Sequence, residues 1–171
     1  MAKPRVLVDT CVIIEAFRIN CWKALCHHFE VETVECCVIE CCTGDPLQPG
    51  RVQIPRPELI GGLARVHAVD DTMLAMLRLD CPHLPALDDG EHHLMAWLHA
   101  NPDDAVLTAI STADRAAIRA THVLTLLDRV TSLQQLGQSA GVGRKQLDNL
   151  QPHFQEDWLS TLRLQLRMNI L

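Results

Sequence analysis

The sequence predicts an α/β fold with a largely parallel central β-sheet. Short apolar runs, typical of buried strands, alternate along the chain with longer segments in which apolar residues recur at helical spacing. Strands that alternate with helices in this way favour a parallel sheet covered by helices. A chain of 171 residues has the length of one domain with a small appendage, and it is long enough to bury a core.

The predicted elements follow in order from the N-terminus. We expect strands at residues 6–8, 31–34, 63–69, 105–109 and 123–125. We expect helices at residues 13–29, 35–42, 71–79, 87–100, 111–120 and 131–136. Residues 43–62 hold four prolines and four glycines, which predicts a loop insertion rather than a short connection.

The chain changes character at residue 137. Glycines punctuate the first part of this segment, and two helical stretches interrupted near Pro152 follow. The second stretch has an amphipathic face with three- and four-residue spacings, made of Trp158, Leu159, Leu162, Leu166 and Ile170. We therefore divide the chain into a domain at 1–136 and a C-terminal helical extension at 137–171. The apolar face could dock on its own domain or on a partner.

The composition is that of an ordinary globular protein, with 48% hydrophobic and 21% charged residues. No apolar run approaches the roughly 18 residues of a membrane span. The apolar stretch after Lys3 and Arg5 is interrupted by Asp9, unlike a secretory signal, so we expect a cytoplasmic protein. A net charge of −6 argues against a general electrostatic attachment to nucleic acid, although a site that binds cations through carboxylates also makes a chain acidic.

Eight cysteines are present, and seven of them precede residue 43. Without a secretory signal we expect reduced thiols rather than disulfides. The run ECCVIECC at 35–42 places four cysteines in two adjacent pairs, which is not the C-x-x-C spacing of a zinc knuckle. We favour packing as their role, with metal binding or redox chemistry as the alternative.

Four acidic residues stand near the predicted carboxyl ends of strands. Asp9 ends the first strand, and Glu40, Glu91 and Asp114 occupy comparable places. Because open α/β sheets bind ligands beyond the carboxyl ends of their strands, we expect these side chains to converge. Converging carboxylates repel one another unless cations lie between them, and all-oxygen ligand sets suit Mg²⁺ or Mn²⁺. Such ions lower the pKa of a bound water and stabilise the leaving oxygen in phosphodiester cleavage.

Some of these acids also have a purely structural interpretation. Asp88 and Glu91 fit a capping box, in which an N-cap acid pairs with the residue three positions later, and Ser111 and Asp114 have the same spacing. Glu91 and Asp114 therefore fit helix capping as well as metal binding. We expect no cap or turn to explain Asp9, and this residue favours a functional role.

The acids lie in segments that resemble the motifs of the PIN-domain family, in the same order and spacing. The family pattern is a hydrophobic strand ending in Asp and Ser or Thr, a Glu in the helix after the second strand, an LDxGE helix start and a T-x-D helix start. The matching residues are Asp9 with Thr10, Glu40, the LDDGE run at 87–91, and Thr112 with Asp114. The resemblance covers roughly residues 5–136, and the chain is similar to PIN proteins of the LDxGE type.

The resemblance implies a three-layer α/β/α fold and a Mg²⁺- or Mn²⁺-dependent endoribonuclease, which in many relatives is the toxin of a toxin–antitoxin pair. Carried over by motif, the metal-binding and catalytic residues would be Asp9, Glu40, Glu91 and Asp114. Asp88 would be an auxiliary acid, and the hydroxyl groups of Thr10 and Thr112 would support the site. RNA is the implied substrate, an antitoxin protein a candidate partner and a homodimer the implied assembly. The loop insertion and the extension lie outside the pattern of the compact toxins.

Other polar residues compete for these roles. Glu35 lies near Glu40, but it fits the first turn of the helix, so we favour Glu40 as the second acid. The histidine pairs at 27–28 and 92–93 fit a helix surface better than zinc ligands or substrate contacts. Arg115 and Arg119, one helical turn apart, fit phosphate contacts and a solvated helix face equally.

We expect a metal-dependent ribonuclease. The alternative is a non-catalytic PIN-like binding or scaffold protein that uses its C-terminal helix for association, and the presence of all four acids argues against it. A phosphatase with Asp-x-Asp after its first strand is disfavoured, because residue 11 is Cys. A dinucleotide-binding domain is disfavoured because no G-x-G-x-x-G follows the first strand.

Overall fold

A computed structural model describes residues 2–44 and 49–170 of the protein. Its parallel strands are β1 (Arg5–Val8), β2 (Glu30–Val34), β3 (Arg65–His67) and β4 (Ala109–Ser111). They form one four-stranded sheet in the order β3-β2-β1-β4. Leu7 of β1 pairs with Glu32 of β2 and with Ile110 of β4. The predicted α/β fold with a parallel central sheet is confirmed.

Eleven α-helices surround the sheet in the described part of the chain. Those of the first half are α1 (Thr10–Arg18), α2 (Trp22–His28), α3 (Glu35–Cys42), α4 (Arg56–Gly62) and α5 (Asp71–Asp80). Those of the second half are α6 (Asp89–Ala100), α7 (Pro102–Ala105), α8 (Arg115–Val123), α9 (Leu133–Ser139), α10 (Arg144–Leu147) and α11 (Glu156–Arg167). None of these helices combines the length and hydrophobicity that a bilayer crossing requires.

The two faces of the sheet carry separate apolar cores, because successive strand residues point to opposite sides. Val6 and Val31 belong to a core that includes residues of α1 and α2. Leu7, Val34 and Ile110 belong to the other core, together with residues of α6 and α8. Helices therefore cover both faces, which gives the three layers α/β/α.

Two predicted segments of the N-terminal half differ from the structure. The helix predicted at 13–29 is wrong as a single element, because the chain breaks between α1 and α2. Asn20 lies in this break in the left-handed conformation, with a φ of 58°. The loop predicted at 43–62 is wrong in its second half, which forms α4. Pro57 sits in the first turn of α4, where its missing N–H has no helical partner to lose. Residues 45–48 of the insertion lie outside the described residues.

Two of the predicted strands are also wrong. The strand predicted at 105–109 is displaced, because a short helix that begins at Pro102 ends there and β4 begins at the last predicted residue. The strand predicted at 123–125 is absent from the described residues, since α8 runs into this segment and Thr125 has a left-handed φ of 60°. Val130 instead makes an isolated parallel bridge beside β4.

The C-terminal extension packs on its own domain. Buried residues of the predicted amphipathic face are Leu159, Leu162 and Leu166. They share a core with Ile118 of α8 and with Val130, and Trp158 packs partly against it. Ile170 lies beyond α11 and is exposed. The boundary expected between residues 136 and 137 falls inside α9.

A buried ion network, which we did not expect from the sequence, connects three strands. Glu32 of β2 is 2% exposed, and its carboxylate accepts from Arg5 Nε at 2.8 Å. His67 Nε2 of β3 lies 2.7 Å from the other oxygen of Glu32, and the His67 ring stacks on Trp97 of α6. Arg5 also donates to Asp104 at 2.6 Å. These contacts hold the pKa of Glu32 near 2, against the opposing effect of its burial.

All eight cysteines are free thiols. Cys21, Cys37 and Cys41 are buried in the apolar cores. Burial raises the pKa of Cys37 to about 12, so this thiol stays protonated at neutral pH. The buried cysteines act as small apolar residues in the packing of the protein.

Candidate active site

Four acidic side chains lie near the carboxyl edge of the sheet, and we call them the acid cluster: Asp9, Glu40, Glu91 and Asp114. Asp9 directly follows β1, and Asp114 lies three residues beyond β4, the neighbouring strand. Glu40 comes from α3 and Glu91 from the first turn of α6. The charges of Asp114 and Asp9 both act on Glu91, and Glu40 accepts a hydrogen bond from the residue before Glu91. The structure thus places Asp9, Glu91 and Asp114 near one another, and Glu40 reaches this group through its contact with Gly90.

Asp9 is the N-cap of α1 as well as a member of the acid cluster. Its Oδ1 accepts the backbone N–H of Val12 at 2.9 Å, and the Cys11 thiol donates to the same oxygen at 3.0 Å. The expectation that no cap explains Asp9 is wrong, because β1 leads directly into a helix whose first N–H groups need acceptors. Burial raises the pKa of Asp9 to about 6, although hydrogen bonds from Thr112 and Cys11 act in the opposite direction.

Glu91 shares the N-terminus of α6 with Asp88, and the two residues form the predicted capping box. Asp88 Oδ1 accepts the N–H of Glu91 at 2.8 Å, and Glu91 Oε2 accepts the N–H of Asp88 at 3.3 Å. Burial, followed by the charges of Asp114 and Asp88, raises the pKa of Glu91 to about 8. At neutral pH this carboxyl group keeps its proton unless a cation offsets the neighbouring charges.

Glu40 is fixed by donors from two other elements. Its Oε1 accepts the N–H of Gly90 at 2.9 Å, and its Oε2 accepts the hydroxyl of Thr10, as the PIN resemblance implies. A β-carbon at position 90 would overlap the Glu40 carboxylate, so any other residue there would displace this carboxylate from its present position. Glu35 lies at the first position of α3 and is exposed, in keeping with the preference for Glu40.

Asp114 is the N-cap of α8. Its Oδ1 accepts the N–H groups of Ala116 and Ala117, at 2.6 and 3.1 Å. The helix predicted at 111–120 begins later than expected, and the predicted pairing of Asp114 with Ser111 in a capping box is wrong because Ser111 belongs to β4. The backbone N–H of Asp114 donates to the Thr112 hydroxyl oxygen at 3.2 Å, which joins Thr112 to both Asp114 and Asp9.

The acid cluster is rich in carboxylates, and the described part of the chain gives it no basic ion-pair partner. Among the described residues, no Lys, Arg or His forms an ion pair with any of its four members. The helix caps use Asp114 Oδ1 and Glu91 Oε2, and no protein donor in the described ranges reaches Asp114 Oδ2 or Glu91 Oε1. Oxygen atoms of carboxylates are the ligands that Mg²⁺ and Mn²⁺ prefer, so the donor set fits such an ion chemically.

The side chains do not already stand as a metal-ligand set. In residues 2–44 and 49–170, no three Asp, Glu, His or Cys side chains are arranged to hold a metal ion together. Local hydrogen bonds orient these carboxylates toward protein donors. Glu40 accepts from Gly90 and Thr10. Asp9 accepts from Val12 and Cys11. Coordination by all four acids would require some of these side chains to exchange protein donors for the cation.

The remaining candidates lie outside the acid cluster. His27 and His28 are exposed on α2, whereas His92 and His93 are half-buried on α6. Arg115 and Arg119 are exposed on α8, in the turns that follow Asp114. Cys11 was missed as a site residue. Its position two residues after Asp9, at the start of a helix, was the only sign in the sequence that its thiol would reach the carboxylate.

Replacing Glu91 with Gln should change how the stability of the metal-free protein depends on pH. The pKa of Glu91 is about 8 in the folded protein against an ordinary value of 4.5, so between these values the folded state holds a proton that the unfolded chain releases. The free energy of unfolding contributed by Glu91 therefore falls as pH rises through this window and is constant above it. Gln keeps the capping box but cannot ionise.

The measurement for this prediction is thermal denaturation in EDTA at a series of pH values from about 5 to about 8. We expect the melting temperature of the wild type, relative to that of Glu91→Gln, to fall as pH rises. A constant difference between the two proteins across this range would contradict the raised pKa of Glu91.

Comparison with known proteins identifies no relative of this chain, since no protein-family model, no curated protein and no solved structure matches it. The similarity to the PIN-domain family therefore rests on the motifs and their order alone.

Proposed function

We propose that the protein is a Mg²⁺- or Mn²⁺-dependent endoribonuclease, with Asp9, Glu40, Glu91 and Asp114 as its metal-binding and catalytic acids. The observation that carries this proposal is the convergence of four carboxyl groups, without a basic partner in the described residues, at the carboxyl edge of a parallel sheet. Ligands bind at this edge in open α/β sheets. A cation offsets the charge repulsion that, after burial, raises the pKa of Glu91.

The order of the motifs supports RNA as the substrate. The PIN-like pattern places an acid after β1, in α3, at the start of α6 and before α8, and these are the four places from which the acid cluster is assembled. The toxin role, an antitoxin partner and a homodimer stay predictions of that resemblance. Arg115 and Arg119 remain candidates for phosphate contacts because both are exposed on the helix that Asp114 caps.

The side chains around the acid cluster have positioning roles in this proposal. When bound, Mg²⁺ or Mn²⁺ would supply an activated water and stabilise the leaving oxygen of the phosphodiester. Thr10 and the Gly90 N–H hold the two oxygens of Glu40. Thr112 hydrogen-bonds Asp9 and also accepts from the N–H of Asp114, so it fixes the spacing of these two acids. Asp88 orients Glu91 through the capping box.

The non-catalytic scaffold remains a second candidate because of one specific observation. Asp9, Asp88 and Asp114 are each the N-cap of a helix, and Glu91 completes a capping box. Each N-cap residue alone stabilises its helix by about 1 kcal/mol, and this effect needs no metal. In this interpretation the carboxylates would serve the N-termini of α1, α6 and α8 and nothing else.

Cleavage of a 5′-labelled single-stranded RNA by the purified protein separates the two candidates. We expect fragments with Mg²⁺ or Mn²⁺ and none with EDTA, because the proposed chemistry needs the cation. A single-stranded DNA of the same sequence shows whether the 2′-hydroxyl is needed. Equal cleavage with and without metal would contradict the metal dependence, and failure to cleave any RNA tested would contradict the proposal and favour the scaffold.

A further inference from the structure

A cavity of about 500 Å³ lies beside the acid cluster and takes no part in the proposed chemistry. Cys11 and Glu40 line it, and the Cys11 thiol is 3.0 Å from Asp9 Oδ1, so the cavity lies beside Glu40 and one side chain away from Asp9. Its volume is within the range of about 300–1,000 Å³ that is typical of small-molecule sites. Its walls come from α1, α3, residues 49–54 and residues 151–154. The last two segments belong to the regions that lie outside the PIN-like pattern.

Residues of the C-terminal extension that form one wall are anchored to α1. Glu15 is 2% exposed, and its Oε1 accepts the backbone N–H of Gln151 at 2.8 Å. Arg18 donates to both oxygens of Glu15 at 2.6 Å and to the backbone carbonyl of Asn149 at 2.5 Å. Gln146 donates to the carbonyl of Ile19 at 2.6 Å. The wall is therefore held at a fixed distance from the acid cluster.

This wall carries an imidazole ring. His153 lines the cavity and is half-buried. Its ring centroid is 4.4 Å from that of Phe154, which also lines the cavity, and 6.2 Å from that of Trp158, so it packs against two aromatic side chains. On the α1 side, Ile14 lines the same cavity and is 36% exposed, so its side chain is accessible to a ligand.

The charged groups of the wall are balanced. Two acids, Glu15 and Glu40, and two arginines, Arg18 and Arg51, line the cavity. Arg18 offsets Glu15 through their paired hydrogen bonds, and Arg51 donates to the backbone carbonyl of Thr43. The cavity thus combines apolar and aromatic surface with paired charges, whereas the neighbouring acid cluster contains acidic side chains alone. Such a mixture suits a ligand with a flat ring that stacks on the imidazole.

We propose that this cavity is a nucleotide subsite, which binds one nucleotide of the RNA strand beside the phosphate that is cleaved, with its base against His153 and Ile14. The inference deepens the proposed ribonuclease function and rests on it. The cavity shares Glu40 with the acid cluster, so a strand that places a phosphate at the cluster brings the adjoining nucleotide to the cavity. Aromatic stacking accepts any base, and the walls from residues 49–54 and 151–154 would set its preference.

Nuclear magnetic resonance titration of the isotope-labelled protein in EDTA tests the subsite without any cleavage step. The probes are AMP, GMP, CMP and UMP, added separately at millimolar concentration. We expect at least one of them to shift the backbone signals of Cys11, Ile14 and His153. Replacing His153 with Ala should weaken that binding about tenfold, while His27→Ala, at an exposed histidine away from the cavity, should leave it unchanged. No binding, or shifts confined to other surfaces, would overturn the inference.

A second variant tests the subsite independently if the His153→Ala protein does not fold. Ile14→Trp replaces an aliphatic side chain with an indole ring that fills part of the open cavity. It should block nucleotide binding while the dispersion of the spectrum stays native. Retained binding in Ile14→Trp would overturn the inference.

The subsite and the ribonuclease fail in different ways. RNA cleavage with an unchanged KM in His153→Ala overturns the subsite alone, whereas nucleotide binding in the cavity without RNA cleavage by the wild type overturns the ribonuclease alone.

Discussion

Asp9→Asn should abolish metal-dependent RNA cleavage and leave the fold intact. The substitution removes one charged ligand of the acid cluster, and loss of a single electrostatic stabiliser typically costs about a hundredfold or more in rate. Asn is as good an N-cap as Asp, so the hydrogen bond from the Val12 N–H can be kept and α1 should remain capped. The measurement is the rate of RNA cleavage at saturating Mn²⁺, with circular dichroism as the check on folding.

Asp70→Asn is the matched control for this experiment. Asp70 is the N-cap of α5 and accepts from the Met73 N–H at 2.9 Å, so the change is chemically identical but lies at a helix outside the acid cluster. We expect Asp70→Asn to cleave RNA at the wild-type rate. Equal losses of activity in the two variants would mean that capping rather than metal binding accounts for the effect, and would contradict the proposed role of Asp9.

Glu32→Ala should cause the largest loss of stability of any single substitution considered. It leaves Arg5 and His67 without the carboxylate that joins β1, β2 and β3. Removing one partner of a buried ion pair costs about 3–5 kcal/mol, and we expect a loss at the lower end because Arg5 is partly exposed and keeps its hydrogen bond to Asp104. For a chain of this size the melting temperature should fall by roughly 10 °C. Urea denaturation measures the free energy of unfolding, and Glu30→Ala, on the same strand, is the control.

The pH dependence of the wild type gives a second check on the same network. The pKa of Glu32 is about 2 in the folded protein, below its ordinary value of 4.5. Its contribution to stability is therefore fully present above pH 4.5 and is lost as the pH falls through about 2. Glu32→Ala should be less sensitive to acid than the wild type in this window. If Glu32→Ala loses no more free energy of unfolding than Glu30→Ala, Glu32 contributes little to stability.

The α/β class and the parallel sheet could be predicted because the alternation of strands and helices is a local pattern, whereas the strand order β3-β2-β1-β4 could not. The apolar runs before Asp9 and before Glu35 are short, bounded and followed by helical spacing, so β1 and β2 were found nearly at their true limits. The errors lie where a few residues override the pattern. Asn20 takes a left-handed conformation and divides one predicted helix, and Pro102 starts a short helix where a strand was expected.

The members of the acid cluster could be named from the sequence, but their hydrogen-bond partners could not. The capping box of Asp88 and Glu91 was predictable because both partners are local in sequence. The contact of Glu40 with Gly90 joins residues 50 positions apart, and only the packing of α3 against α6 creates it. Glu32 was missed for the same reason, since its partners lie on two other strands.

Calorimetric titration of Mn²⁺ tests the central claim most directly, because it does not depend on finding the right RNA. The wild type, Asp9→Asn and Asp70→Asn are titrated near pH 8, which is about the pKa of Glu91. At this pH the proton on Glu91 competes less with Mn²⁺ than at neutral pH. We predict that the wild type and Asp70→Asn bind Mn²⁺ with the same affinity and that Asp9→Asn binds it far more weakly. Absence of binding by the wild type, or equal binding by Asp9→Asn, would contradict the metal centre and leave the carboxylates as helix caps.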